Sequence, residues 1–180
     1  MGYDVVVAAV GSQPIVPPIP GIETAVPATR AFGHEEFVAE NVVIIGGGEI
    51  GVETGLHLAQ QGKKVTIIEM KDVAAEEAKR VHYYNMFMDA VEEYRDGLTM
   101  ILKATCTGIS ENGVTYKDSD GKEHTVHAGT VLLAAGMRAD TATAMRYANC
   151  GKQFFAIGDC GQQGNLQTAI RSGYTIANSI

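Results

Sequence analysis

Val42-Val43-Ile44-Ile45-Gly46-Gly47-Gly48-Glu49-Ile50-Gly51 decides the fold. A short apolar run, read as a buried parallel strand, ends in Gly46-x-Gly48-x-x-Gly51 and opens a helical pattern from Glu49 to about Gln61 that stops at Gly62. About twenty residues past the glycines, a second apolar run, Val65-Thr66-Ile67-Ile68, ends in Glu69. Strand, glycine turn, helix and strand closed by an acid make a βαβ unit. Each glycine has a physical task. Gly46 allows the tight turn out of the strand, Gly48 lets a ligand approach the backbone, and Gly51 lets helix and strand pack closely. Free N–H groups and the partial positive charge at the helix start suit a diphosphate, contacted chiefly through the backbone of Gly46, Gly48, Glu49, Ile50 and Gly51.

Glu69 would accept hydrogen bonds from both hydroxyls of an adenosine ribose. Its charge would repel a 2′-phosphate, so NAD(H) is favoured and NADP(H) disfavoured. Lys63, Lys64 and Lys71 lie near it in sequence and oppose that preference.

Composition sets the outer bounds. A chain of 180 residues with 46% hydrophobic residues and 21 glycines fits one turn-rich α/β domain with appended pieces. Its net charge of −7 argues against nucleic acid or an anionic membrane as partner. No apolar run reaches bilayer length, and Met1-Gly2-Tyr3-Asp4 has no signal-peptide character. Cys106, Cys150 and Cys160 are widely spaced and form no CxxC. They fit a reducing cytoplasm, each as a small buried hydrophobe. His34, His57, His82, His124 and His127 form no metal-like set, so no metal is expected.

Along the chain, Val5 to Val10 reads as a strand, followed by the proline-rich connection Pro17-Pro18-Ile19-Pro20-Gly21. Ala74 to Tyr94 reads as one long helix with Val81, Tyr84, Phe87, Met88 and Val91 on its apolar face, and His82 as an ordinary helical histidine. Met100 to Ile109, Val114 to Tyr116 and His124 to His127 read as three strands joined by hairpin turns at Asn112-Gly113 and Asp120-Gly121. Val131 to Gly136 is another buried strand running into glycine. A short helix follows over Thr141 to Ala148, then a strand from Phe154 to Asp159 and a helix from Leu166 onward. The expected fold is α/β, a Rossmann-like parallel sheet with helices and a three-stranded β-meander crossover.

The ordered pieces Ala9-Val10-Gly11-Ser12-Gln13-Pro14, Gly46 to Glu53, Ala134-Ala135-Gly136 and Ala156-Ile157-Gly158-Asp159 resemble the flavoprotein reductases with two dinucleotide-binding domains. In that family an NAD(P)H domain is inserted within a discontinuous FAD domain. The resemblance implies an FAD-domain stub at 1–14, a linker at 15–40, an NAD(H)-binding domain at 41–140 and a return to the FAD domain at 141–180. The chain is accordingly expected to be a fragment, lacking the glycine motif for the ADP half of FAD. The short link between Gly136 and Gly158, with Gly158-Asp159-Cys160 and Gly164-Asn165-Leu166-Gln167-Thr168-Ala169-Ile170, resembles the C-terminal part of 2-enoate reductase and 2,4-dienoyl-CoA reductase. Those enzymes also carry a barrel with FMN and a 4Fe–4S cluster, absent from this chain.

The resemblance implies hydride transfer from NADH to FAD, with no catalytic acid, base or nucleophile required of this segment. Gly136 would leave room for the cofactor, and Glu53 would face its nicotinamide end unless it is simply an exposed helix residue. Arg138 would hold a phosphate or pair with Asp140. Asp159 would meet the ribityl–phosphate region of FAD, with Gln167 and Thr168 near the flavin ring. Two other readings stay open: the NAD domain of a pyridine-nucleotide disulfide reductase or NADH oxidase, and a non-catalytic NAD-binding module.

Overall fold

The chain is described by a computed structural model covering residues 2–80 and 83–180, so the readings of Val81 and His82 fall outside the described residues. It divides into two compact units, Val16–Gly136 and a second made of Met1–Ile15 with Met137–Ile180.

The larger unit is built on five parallel strands. In spatial order they are β3 (Val26–Pro27), β10 (Thr130–Leu133), β4 (Asn41–Ile45), β5 (Lys64–Ile68) and β6 (Leu98–Ile101). Strand β4 is central, and its alternation divides the core. Val42 and Ile44 face one layer, with Val52, Leu56, Leu58 and Ala59 of helix α1 (Glu49–Gln60). Val43 and Ile45 face the other, packed with Cys106, Val114 and Tyr116 of an antiparallel meander. That meander comprises β7 (Thr105–Ser110), β8 (Gly113–Lys117) and β9 (Glu123–Val126). A strand covered on both faces is apolar throughout, which is why β4 reads as a continuous run rather than an alternation.

Two expectations change here. The apolar stretch Met100 to Ile109 is not one strand. Its first part belongs to β6 in the parallel sheet and its last to β7 in the meander. Between them Lys103 takes a φ of 53°, and the Lys103 and Ala104 N–H groups donate to the Lys71 and Glu69 carbonyls. These tertiary bonds turn a sequence that has no glycine or proline to mark the break.

Ala74 to Tyr94 is not one helix either. Ala75, at φ 46°, donates its N–H to the Gly47 carbonyl at 2.7 Å, so the helix cannot begin there. A 3-10 segment, Glu76–Arg80, precedes the α-helix α2 (Tyr84–Glu93). Beyond the proline-rich connection comes the two-residue strand β3. β3 lies at the sheet edge, where Pro27 can sit without breaking an inner ladder.

In the smaller unit β1 (Tyr3–Ala8) pairs in parallel with β12 (Gly151–Ala156), and β2 (Ser12–Pro14) pairs antiparallel with β11 (Met137–Ala139). β1 lies two residues and β12 three residues earlier than the apolar runs suggest, with Tyr3 matched to Gly151 and Ala8 to Ala156. Helix α3 (Thr141–Met145), a 3-10 turn at Gly158–Cys160 and helix α4 (Leu166–Ala177) complete it. Ala8, Ala144 and Cys160 are buried together, with Phe154 and Ala156 beside them. Cys106 is buried as well, but Cys150 is exposed, contrary to the expectation for all three cysteines. Leu166, Ile170 and Tyr174 form an exposed stripe along α4. No helix among the described residues is long and apolar enough to cross a membrane.

Candidate nucleotide-binding site

Gly46 follows β4, Glu69 follows β5, and Gly136 lies three residues past the end of β10, so all three stand at the carboxyl ends of parallel strands. That is the end where open α/β sheets take their ligands. Three of the four glycines of the turn are required by the fold, for different reasons. Gly46 has a φ of 105°, and a Cβ there would strike the Ala134 carbonyl oxygen. At Gly51 a Cβ would strike the Gly46 carbonyl oxygen, with the Ala134 side chain at 3.3 Å. Gly47, passed over in the motif, would bring a Cβ to 2.9 Å from the Glu69 Cβ.

Gly48 is unlike the rest. Its φ is −67°, open to any residue, and a Cβ built on it meets no atom within 4 Å. The fold therefore does not need a glycine at this position. What it leaves is free space beside the backbone at the start of α1. Gly48 caps that helix without any side-chain bond, and among the described residues no side chain accepts from the N–H groups of Glu49, Ile50 and Gly51.

Glu69 is buried and already bonded. One carboxylate oxygen accepts from the Gly47 N–H at 2.6 Å and the other from the Lys71 N–H at 2.7 Å. Charge-assisted bonds of this kind let a carboxylate stay buried and fix whatever donates to them. Glu69, Gly47 and Ala75 thus tie the glycine turn to the loop after β5. Each oxygen has a further lone pair, so a ribose hydroxyl would add to these bonds rather than find a free carboxylate.

The lysines separate. Lys63 donates to the Val38 carbonyl at 2.6 Å and Lys64 pairs with Glu40 at 3.4 Å. Both stand at the start of β5, roughly 16 Å of strand from Glu69. Only their place in the sequence suggested an influence on the ribose end.

Glu53 lies one turn further along α1, exposed. Desolvation, with the nearby Glu49 charge, pushes its carboxyl above the ordinary range. Gly136 has a φ of 102°, an orientation that itself calls for glycine.

The residues expected near a flavin lie in the smaller unit. Asp159 accepts from the Ser12 hydroxyl at 3.3 Å and from the Gly164 N–H at 3.2 Å. Gln167 and Thr168 are exposed on the first turn of α4. The Thr168 hydroxyl is engaged locally. It accepts from the Asn165 N–H at 2.8 Å, while the Asn165 side chain accepts from the Thr168 N–H at 3.0 Å. Asp140 does not take Arg138 as its hydrogen-bond partner. It caps α3 through the Thr143 N–H and accepts from Gln13, and these bonds hold its carboxyl below the ordinary range. Among the described residues, no group of three or more His, Cys, Asp or Glu is arranged to hold a metal ion.

Residues 1–154 match the pyridine nucleotide-disulphide oxidoreductase family. The chain belongs to that family. It is 31% identical over 179 residues to the bilirubin reductase of Mediterraneibacter gnavus, covering 97% of this chain and 27% of that protein. It is 35% identical over 144 residues to the dihydrolipoyl dehydrogenase of Acholeplasma laidlawii (76% and 41%). The cinnamate reductase of Clostridium sporogenes is 31% identical over 186 residues (99% and 27%). Among solved structures, a 2-naphthoyl-CoA reductase complex superposes with a TM-score of 0.88 at 29% identity, covering 98% of this chain and 27% of that one. The chain thus spans about a quarter of the two longer reductases it matches end to end. The family is one of flavoprotein pyridine-nucleotide oxidoreductases, and the α/β fold with its Rossmann-like parallel sheet agrees with it.

Proposed function

We propose that this chain is the NADH-binding part of an FAD-dependent reductase that passes hydride from NADH to FAD and on to the C=C bond of an enoate or enoyl-CoA. The observation that carries the nucleotide reading is the contrast within the turn. Gly46, Gly47 and Gly51 are demanded by the protein's own atoms, whereas Gly48 faces open space at an uncapped helix start. A diphosphate fits that space and its N–H donors. Glu69 and Gly136, at the neighbouring strand ends, would take the adenosine ribose and leave room for the rest of the coenzyme. Glu53 would stand toward the nicotinamide, and Asp159, Gln167 and Thr168 toward the flavin.

Bound coenzyme would supply the hydride, and these residues would bind, orient and exclude water. No side chain of the chain is required as acid, base or nucleophile. The enoate end of the proposal draws on the cinnamate and naphthoyl-CoA reductases among its relatives. FMN and a 4Fe–4S cluster would belong to a barrel outside this sequence, as would the FAD-domain remainder. The domain limits follow the same reading: FAD-domain segments at 1–14 and 141–180, a linker at 15–40 and the NAD(H) domain at 41–140. The dihydrolipoyl dehydrogenase match supports a second reading, the NAD domain of a disulfide reductase.

Calorimetric titration of NADH into the purified chain tests the nucleotide reading. Saturable binding is expected, with no FAD retained through purification. Heat indistinguishable from dilution would overturn the first expectation, and a yellow sample with flavin absorbance the second.

A further inference from the structure

Lys71 is bound by its own backbone to the acid that reads the ribose, since its N–H donates to Glu69. It is therefore the cation that a 2′-phosphate would seek. Its ammonium is not left free. It donates to Glu76 at 2.7 Å and lies 3.8 Å from Glu77, on the 3-10 segment that follows the loop. The position of that segment is fixed independently, by Ala75 donating to Gly47 and by the buried Ala78. The loop after β5 thus presents one ammonium, two carboxylates around it and the Glu69 carboxylate behind it. Those two pairs hold the Lys71 ammonium above its ordinary range and keep it charged.

We propose that Glu76 and Glu77 are coenzyme-specificity residues, which hold Lys71 away from a 2′-phosphate and so enforce NADH over NADPH. The inference rests on the nucleotide reading of the glycine turn. Glu69 alone acts at the ribose, with both oxygens already shared with backbone donors. The outer pair acts differently. It repels the phosphate dianion and at the same time denies it a counter-charge. The three side chains are about half exposed, so each pair is weak in water and the effect is moderate.

The test is calorimetric titration of NADH and of NADPH into the unaltered chain, the double variant Glu76→Gln with Glu77→Gln, and that variant carrying Lys71→Ala as well. Circular dichroism melts accompany each protein. The double variant is expected to bind NADPH on the order of tenfold more tightly with NADH affinity nearly unchanged, and Lys71→Ala should cancel the gain. The third protein also separates Lys71 from Lys103, whose backbone N–H donates to the Lys71 carbonyl. NADH binding by the unaltered chain with no NADPH gain in the folded double variant would overturn the inference alone. So would a gain that survives Lys71→Ala. Absence of NADH binding by the unaltered chain would overturn the nucleotide reading, and this inference with it.

Discussion

The turn from β4 into α1 and the turn from β12 into α4 share a plan. Each follows a parallel strand, and each contains a glycine in the left-handed region, Gly46 at φ 105° and Gly158 at φ 60°. They end differently. Helix α4 begins with a reciprocal pair in which Asn165 and Thr168 satisfy each other's backbone N–H groups. Helix α1 begins at Gly48, with no side chain among the described residues accepting from its first N–H groups and open space beside Gly48. Capping stabilises a helix at the expense of its power to bind an anion, because the donors are the same. One turn completes itself and the other leaves its donors open.

The comparison breaks first at Gly46. Gly46→Ala drives a methyl into the Ala134 carbonyl oxygen in a left-handed conformation. The conformational strain alone is expected to cost about 1–3 kcal/mol, read as a lower melting temperature. A melting curve like that of the parent would show that the turn is soft, and the division of labour among the glycines would be lost.

Gly48→Val should do the reverse. Its φ of −67° suits valine and no atom stands in the way, so stability should hold. NADH affinity should fall at least about tenfold, ~1.4 kcal/mol, because branched carbon fills the ligand's space. Calorimetry beside thermal melting separates the two effects, and unchanged affinity in a folded variant would sink the nucleotide reading.

Asn165→Ala opens the other helix start. Loss of the cap is expected to cost about 1 kcal/mol, seen as faster amide exchange at Thr168 and its neighbours. Helix α1 has no capping side chain to lose, and this asymmetry is what the measurement sharpens.

The smallest effect lies on the far side of α1. His57 donates its Nε2–H to the Glu35 carboxylate at 2.7 Å, and Glu35 also accepts from the Gly33 N–H. The His57 bond, aided by Gly33, lowers the Glu35 carboxyl to about 2 from an ordinary 4.5. Since the folded value is depressed, this contribution is complete above 4.5 and is lost as pH falls through about 2. Carbon-detected NMR titration should place Glu35 low, and His57→Gln should return it toward 4.5. A normal titration in the unaltered chain would remove the tether.

The glycine turn was legible because its logic is local. A strand, three spaced glycines, a helix and an acid each have a spacing that the sequence displays. What tertiary contact decides was not. Gly47 is required by the Glu69 side chain more than twenty positions away, and Ala75 leaves helical geometry to reach Gly47. The break between β6 and β7 rests on bonds from Lys103 and Ala104 to the loop after β5. Lys63 and Lys64 looked close to Glu69 in sequence, but an extended strand carries them to the opposite end of the sheet. Cys150 followed a general tendency of cysteine that its surface position overrides.

Burial of β4 on both faces has a consequence for how the chain finds its alignment. A slip of one residue would send Val42 and Ile44 to the meander and Val43 and Ile45 to α1, yet every one of them would still be among apolar neighbours. Greasiness therefore cannot proofread this strand, as it does where one face meets water. The stops are two glycines: one slip would put Ile45 at Gly46's place against the Ala134 carbonyl, and the other would put Val52 at Gly51's place against the Gly46 carbonyl, and neither place has room for a Cβ. During folding the turn acts as a keyed end-piece, admitting the central strand in one frame and rejecting its near misses by shape alone.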